Sequence, residues 1–124
     1  MRIFNLIAAS MMVITPTQAK ASSWVSIGTN VSGNAFWYDA SSVIADKTRA
    51  VTWVRQTGDN GSYYLSRVMF QCDIQMFKIL SMVGYSATGK TTNLLPSPDF
   101  DNVPPDSMYD MISDAVCPAS TRPY

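Results

Sequence analysis

Histidine and glutamate are absent from this 124-residue chain, so all nine of its acidic residues are aspartates. Without histidine there is no Ser–His or Cys–His nucleophile and no imidazole metal ligand. Cysteine is nearly absent too, with only Cys72 and Cys117. Nine basic residues balance the nine acidic ones. Lys47, Arg49, Arg55, Arg67, Lys78 and Lys90 are scattered along the chain rather than grouped. That argues against a nucleic-acid partner, which needs a clustered positive field. Hydrophobic residues make up 47% of the chain, too many for disorder and enough for one domain.

The only long apolar run is residues 6–14 (LIAASMMVI), too short for a permanent membrane span. Arg2 precedes it, Thr15-Pro16 breaks it, and small residues follow. The order is that of an export signal over residues 1–21, cut after Ala19 or Ala21. It contains no cysteine for a lipid anchor. The expected product, residues 22–124, is exported as one domain to the periplasm, the extracellular space or the cell surface. Losing Arg2 and Lys20 would leave it slightly acidic. In such a compartment Cys72 and Cys117 read as a disulfide rather than as reactive thiols, since no histidine could activate either one.

Residues 84–91 spell GYSATGKT, which fits the G-x-x-x-x-G-K-T pattern of a phosphate-cradling loop. Such a loop needs a helix after it. Thr91-Thr92-Asn93 is weakly helical, and Pro96 and Pro98 stop anything longer. The expectation is a β-turn with glycine at a positive-φ position, and no nucleotide or other cofactor. Asp99 with Asp101 could hold a cation, but no calcium-loop spacing surrounds them, so no metal is expected. Asp106, Asp110 and Asp114 recur every fourth residue and read as a solvated helix face. No acid–base pair is set for catalysis, so no catalytic residue is assigned and the expectation is a protein that is not an enzyme.

Strand signals dominate the rest. They lie at Trp24-Val25-Ser26-Ile27, Ala35-Phe36-Trp37-Tyr38, and residues 50–56 (AVTWVRQ), 63–72 (YYLSRVMFQC), 76–85 (MFKILSMVGY) and 90–95 (KTTNLL). Asp39-Ala40-Ser41-Ser42 reads as a turn, at most one helical turn. Alternation places Val51, Trp53 and Arg55 on one face of their strand. It places Tyr64, Val68, Phe70 and Cys72 on one face of the next, with Leu65, Arg67, Met69 and Gln71 on the other. Phe77, Ile79 and Val83 share a face, leaving Leu80 and Met82 on the opposite one. One helix follows Pro104-Pro105, with Ser107 as N-cap and Met108, Met111, Ile112, Ala115 and Val116 as its apolar stripe. Cys117 ends it, and a bridge to Cys72 would lay it on the Val68–Phe70 face. One such helix covers only part of the sheet. Leu65, Met69, Leu80 and Met82 on the opposite side then call for curling of the sheet or a second chain, a homodimer included.

The order of landmarks resembles the surface-adhesin protein E family. The matching residues are Trp24-Val25, Phe36-Trp37-Tyr38-Asp39, Ser41-Ser42-Val43-Ile44 and Val51-Thr52-Trp53-Val54. Further matches are Ser66 with Cys72, Tyr85 with Gly89, Pro105-Asp106-Ser107 and Val116-Cys117. The resemblance implies an α+β fold: a single antiparallel sheet of about six strands, with one C-terminal helix packed on it and stapled by Cys72–Cys117. It also implies a binding protein for a protein ligand, such as a host extracellular-matrix component, and assigns no ligand-binding residue. Trp37, Tyr38, Trp53, Tyr63 and Tyr64 are the aromatic candidates for recognition. The competing expectation is a periplasmic accessory protein, either a hydrolase inhibitor or an envelope-assembly subunit.

Overall fold

The computed structural model describes residues 21–119. The export-signal reading falls on residues 1–21 and lies almost wholly outside them. Eight strands form one antiparallel sheet: β1 (Trp24–Thr29), β2 (Ala35–Asp39), β3 (Ile44–Ala45), β4 (Arg49–Thr57), β5 (Tyr63–Gln71), β6 (Met76–Tyr85), β7 (Thr91–Leu94) and β8 (Asp101–Asn102). One helix, α1 (Met108–Val116), closes the described chain. The main path runs β1-β2-β4-β5-β6-β7. These are the six strands read from the sequence. The count of about six falls short by β3, which pairs with β4, and β8, which pairs with β6. Each has two residues, too few to show a period of two.

Cys72 and Cys117 are joined, with Cα atoms 5.8 Å apart and 45 residues between them in sequence. Cys72 lies one residue past the end of β5, where its N–H donates to the Thr48 carbonyl at 2.7 Å. The bridge sits within the core, beside Phe36, Ala50, Val54, Val68, Phe70, Val103, Ile112 and Val116. α1 therefore packs on the Val68–Phe70 side of the sheet.

Helix capping follows the sequence. Ser107 Oγ accepts from the Asp110 N–H at 3.1 Å and donates to the Pro104 carbonyl at 2.7 Å. Asp110 returns the bond by accepting from the Asp106 N–H at 2.9 Å. This is a capping box displaced by one residue. Asp110 and Asp114 are only half-exposed, and together with Asp106 they border a cleft beside Gln75 and Val103. They are not simply a solvated face.

The apolar stripe of the helix is rotated from the expected one. Ile112, Ser113 and Val116 are buried, while Met111 is 42% exposed and Ala115 is exposed. Tyr109 takes the missing place. Its ring stacks on Phe77 at 4.6 Å and meets Phe36 edge-on at 6.2 Å. Burial pushes the Tyr109 phenol above the ordinary value of 10.0, because the enclosed site disfavours phenolate. The folded state thus gains from a neutral Tyr109 below pH 10.0, and loses that gain as pH rises through the raised folded value. Urea midpoints should fall above pH 10.0, and Tyr109→Phe should flatten that fall.

A second departure comes from a β-bulge. Arg67 pairs with Ser81 but Val68 pairs with Ile79, so Leu80 has no partner on β5. One extra residue swaps the faces of everything after it. Met82 pairs with Ser66 and so joins the helix side, while Val83 pairs with Leu65 and moves to the outer side. Both lie opposite to where unbroken alternation puts them.

Candidate binding face

Asp39 anchors the region around β2. It is 7% exposed, and its Oδ1 accepts from the Ser23 N–H (2.8 Å), the Ser41 N–H (3.0 Å) and the Ser41 hydroxyl (2.6 Å). Its carbonyl accepts from the Ser42 and Thr52 hydroxyls at 2.8 and 3.1 Å. Ser42 Oγ in turn accepts from the Trp53 N–H at 3.1 Å. The Asp39-Ala40-Ser41-Ser42 segment is the single helical turn expected there, a 3-10 turn over Ala40–Ser42. This polar node fixes β2 against β4 and so sets the position of Trp37 beside Arg55.

The side of the sheet away from α1 carries a row of aromatic and cationic groups. Cross-strand pairing puts Trp37 of β2 opposite Arg55 of β4, and Tyr63 of β5 opposite Tyr85 of β6. The Arg55 guanidinium lies 5.6 Å from the Trp37 ring centroid and 4.5 Å from that of Tyr63. Tyr63 and Tyr85 stack at 4.7 Å with an interplanar angle of 10°. The row thus crosses four adjacent strands. Such contacts are worth about 0.5–1.5 kcal/mol each and hold the side chains in fixed poses. Among the described residues Arg55 Nε is enclosed with no hydrogen-bond partner.

Neighbouring rungs continue the face. Leu65 pairs with Val83, Trp53 with Arg67, Val51 with Met69, and Met69 with Lys78. Leu65, Trp53 and Met69 are half-buried, and Ile44 at the border is 66% exposed. α1 packs on the opposite side, and on this one the Phe100 ring lies 5.7 Å from Lys78 Nζ.

Of the aromatic candidates, Trp37, Trp53 and Tyr63 meet on this face. Tyr38 and Tyr64 do not, since they pair with Val54 and Gly84 on the helix side. Tyr85 joins the row without having been among the candidates. The cations scattered along the sequence are gathered here: Arg49, Arg55, Arg67 and Lys78 share the outer side through their pairing with Gln71, Leu65, Trp53 and Met69. Strand pairing supplies a grouping that linear spacing hides.

Residues 84–91 form the end of β6, a turn and the start of β7. The Gly89 N–H donates to the Ser86 carbonyl at 2.9 Å, and Gly89 takes φ 86°. Gly84 lies under the Tyr64 ring, where a Cβ would come within 3.4 Å of it. Both glycines thus serve a hairpin, and β7 stands where a phosphate loop would need a helix. Among the described residues no group of three or more His, Cys, Asp or Glu is placed to hold a metal ion, Asp99 and Asp101 included. Among them, no helix is long and apolar enough to cross a membrane.

No family model matches the chain, and no curated protein or solved structure matches it either.

Proposed function

We propose that this is an exported, non-enzymatic binding protein that engages a protein ligand through the outer face of its sheet. The carrying observation is the row Trp37–Arg55–Tyr63–Tyr85, held in place by its own contacts and half-exposed. Trp, Tyr and Arg are the residue types that most often dominate protein interfaces. Rigid aromatics lose little conformational entropy on binding, which favours affinity. The disulfide supports export, because such bridges persist in oxidising compartments. The resemblance to surface-adhesin protein E points to a host extracellular-matrix component as the ligand. The second reading, a periplasmic accessory protein, draws on the same face and the same compartment.

Capture experiments separate the two. Immobilised residues 22–124 are exposed to solubilised basement-membrane matrix and to periplasmic extract, with a Leu65→Asp variant in parallel. A charge on the outer face should reduce capture at least tenfold while leaving the circular dichroism spectrum unchanged. Retention from matrix supports the adhesin reading, and recovery of an envelope protein alone supports the accessory one. Equal capture by wild type and Leu65→Asp would remove the outer face from the function.

A further inference from the structure

We propose that the ligand docks an acidic protein surface on this face, along a diagonal stripe of cations formed by Arg55, Arg67 and Lys78. The inference rests on the reading of the outer face as the binding surface and adds the chemistry of the occupant.

Register creates the stripe. Arg55 on β4 pairs with Leu65, and Arg67 lies two residues further along β5. Lys78 on β6 pairs with Met69, again two residues beyond Arg67. Regular diagonal neighbours are about 7–8 Å apart, which sets the Arg55–Arg67 step, while the bulge at Leu80 lies within the Arg67–Lys78 step. Arg49 lies at the far end of the same face, next to the Asp46 charge.

Among the described residues, the strands that carry the stripe bring no acid to it. β4, β5 and β6 contain no aspartate. Among the described residues no ion pair is made by Arg55, Arg67 or Lys78; Arg55 lies against the Trp37 and Tyr63 rings, and Lys78 Nζ lies 5.7 Å from the Phe100 ring centroid. Asp46, Asp59, Asp73, Asp99 and Asp106 sit in turns and loops, Asp39 in the buried node, Asp110 and Asp114 in α1, and Asp101 in β8, where it pairs with Phe77 on the helix side. Like charges facing one another across strands are unfavourable. Here they are kept together on one half-exposed face, which raises the local positive potential and steers acidic partners.

The identity of the occupant follows by comparison. A symmetric dimer through this face, one cover expected for it from the sequence, would set the cationic patch of one copy against that of another. Single-stranded nucleic acid needs free ring faces for its bases. Tyr63 has Arg55 on one side and Tyr85 on the other. An anionic polysaccharide would satisfy the cations but leave Leu65, Val83, Met69 and Trp53 without apolar contact. A protein surface supplies carboxylates and apolar groups together, and Trp, Tyr, Met and Arg are the types enriched at protein interfaces. Carboxylates at alternate residues of an extended segment, about 7 Å apart, match the Arg55–Arg67 step.

The test titrates residues 22–124 with four anionic probes of matched charge and follows tryptophan fluorescence. The probes are poly-L-glutamate, a glutamate–tyrosine copolymer, a heparin oligosaccharide and oligothymidylate. The copolymer should bind at least tenfold more tightly than heparin or oligothymidylate and more tightly than poly-L-glutamate. Its affinity should fall steeply with added salt. Arg67→Glu should weaken it at least tenfold, whereas Arg67→Lys should keep most of it. Absence of copolymer binding, tighter binding of heparin or oligothymidylate, or an unchanged affinity in Arg67→Glu would overturn the proposal. The Leu65→Asp capture result is separate. If Leu65→Asp abolishes capture and Arg67→Glu does not, the face binds a ligand that is not acidic. If neither variant affects capture, both readings fall.

Discussion

Replacing both cysteines of the Cys72–Cys117 bridge with alanine is expected to cost about 4 kcal/mol of folding stability. The value follows from the 45-residue separation, since a loop of that length restricts the unfolded chain strongly. For a domain of this size it corresponds to a melting point lower by roughly 20 °C. Two structural facts push in the same direction. Both cysteines are nearly fully buried, so truncation also removes packing around Phe70, Ile112 and Val116. The bridge also ties α1 to the sheet from a distant point in the sequence. The double variant should therefore lose helical signal before sheet signal as urea is added. A drop of less than about 5 °C would show that the core holds α1 without the bridge.

Asp39→Ala is expected to cost about 3 kcal/mol, a large effect for a single polar side chain outside any active site. The carboxylate receives three hydrogen bonds at Oδ1, two from backbone N–H groups that would otherwise lack those partners. Bonds to a charged group are worth about 1.5–3 kcal/mol each, and the loss is partly offset where Ser41 and Ser23 reach water. The variant should also loosen β1 from β2, because Ser23 is fixed to Asp39 just before β1 begins. Asp39→Asn keeps an oxygen acceptor in place and should fall between wild type and alanine. Urea unfolding of the three proteins checks the order, and a loss under 1 kcal/mol for Asp39→Ala would contradict the role given to the node.

The sequence is legible where a local pattern determines the outcome. Alternation marks β4 and β5, whose alternate residues are buried, aromatic residues mark β2, and the turn at Gly89 marks β7, which is exposed throughout. Ser107 and Asp110 mark the helix start, because their side chains satisfy exposed N–H groups there. The cysteine pair marks the bridge. Legibility fails where the answer depends on a partner strand. The bulge at Leu80 has no composition signal, since neither glycine nor proline stands there, so Met82 and Val83 exchange faces without notice. Tyr109 displaces Met111 and Ala115 from the buried stripe because Phe36 and Phe77 offer it two rings, a fact of tertiary contact. The faces of β4 and β5 that bear Arg55 and Arg67 can each be read from alternation alone. That they are the same face of the sheet emerges only from the Arg55–Leu65 and Trp53–Arg67 pairs.

The same contrast explains the motif residues of the resemblance. Asp39, Ser41, Ser42 and Thr52 belong to the node beneath β2 and β4. Cys72 and Cys117 hold the helix. These residues build the scaffold and carry no information about the ligand. The surface proposed for binding comprises Trp37, Arg55, Tyr63, Leu65, Arg67 and Tyr85, most of which lie outside those motifs.

Oxidative footprinting of residues 22–124, with and without the captured ligand, tests the central claim most directly. Trp37, Trp53, Tyr63 and Tyr85 should be protected together, with Met111 and Tyr64 on the opposite side modified at the same rate in both states. Protection confined to Met111 and Tyr64, with the outer aromatics unchanged, would place the ligand on the wrong side of the sheet and contradict it.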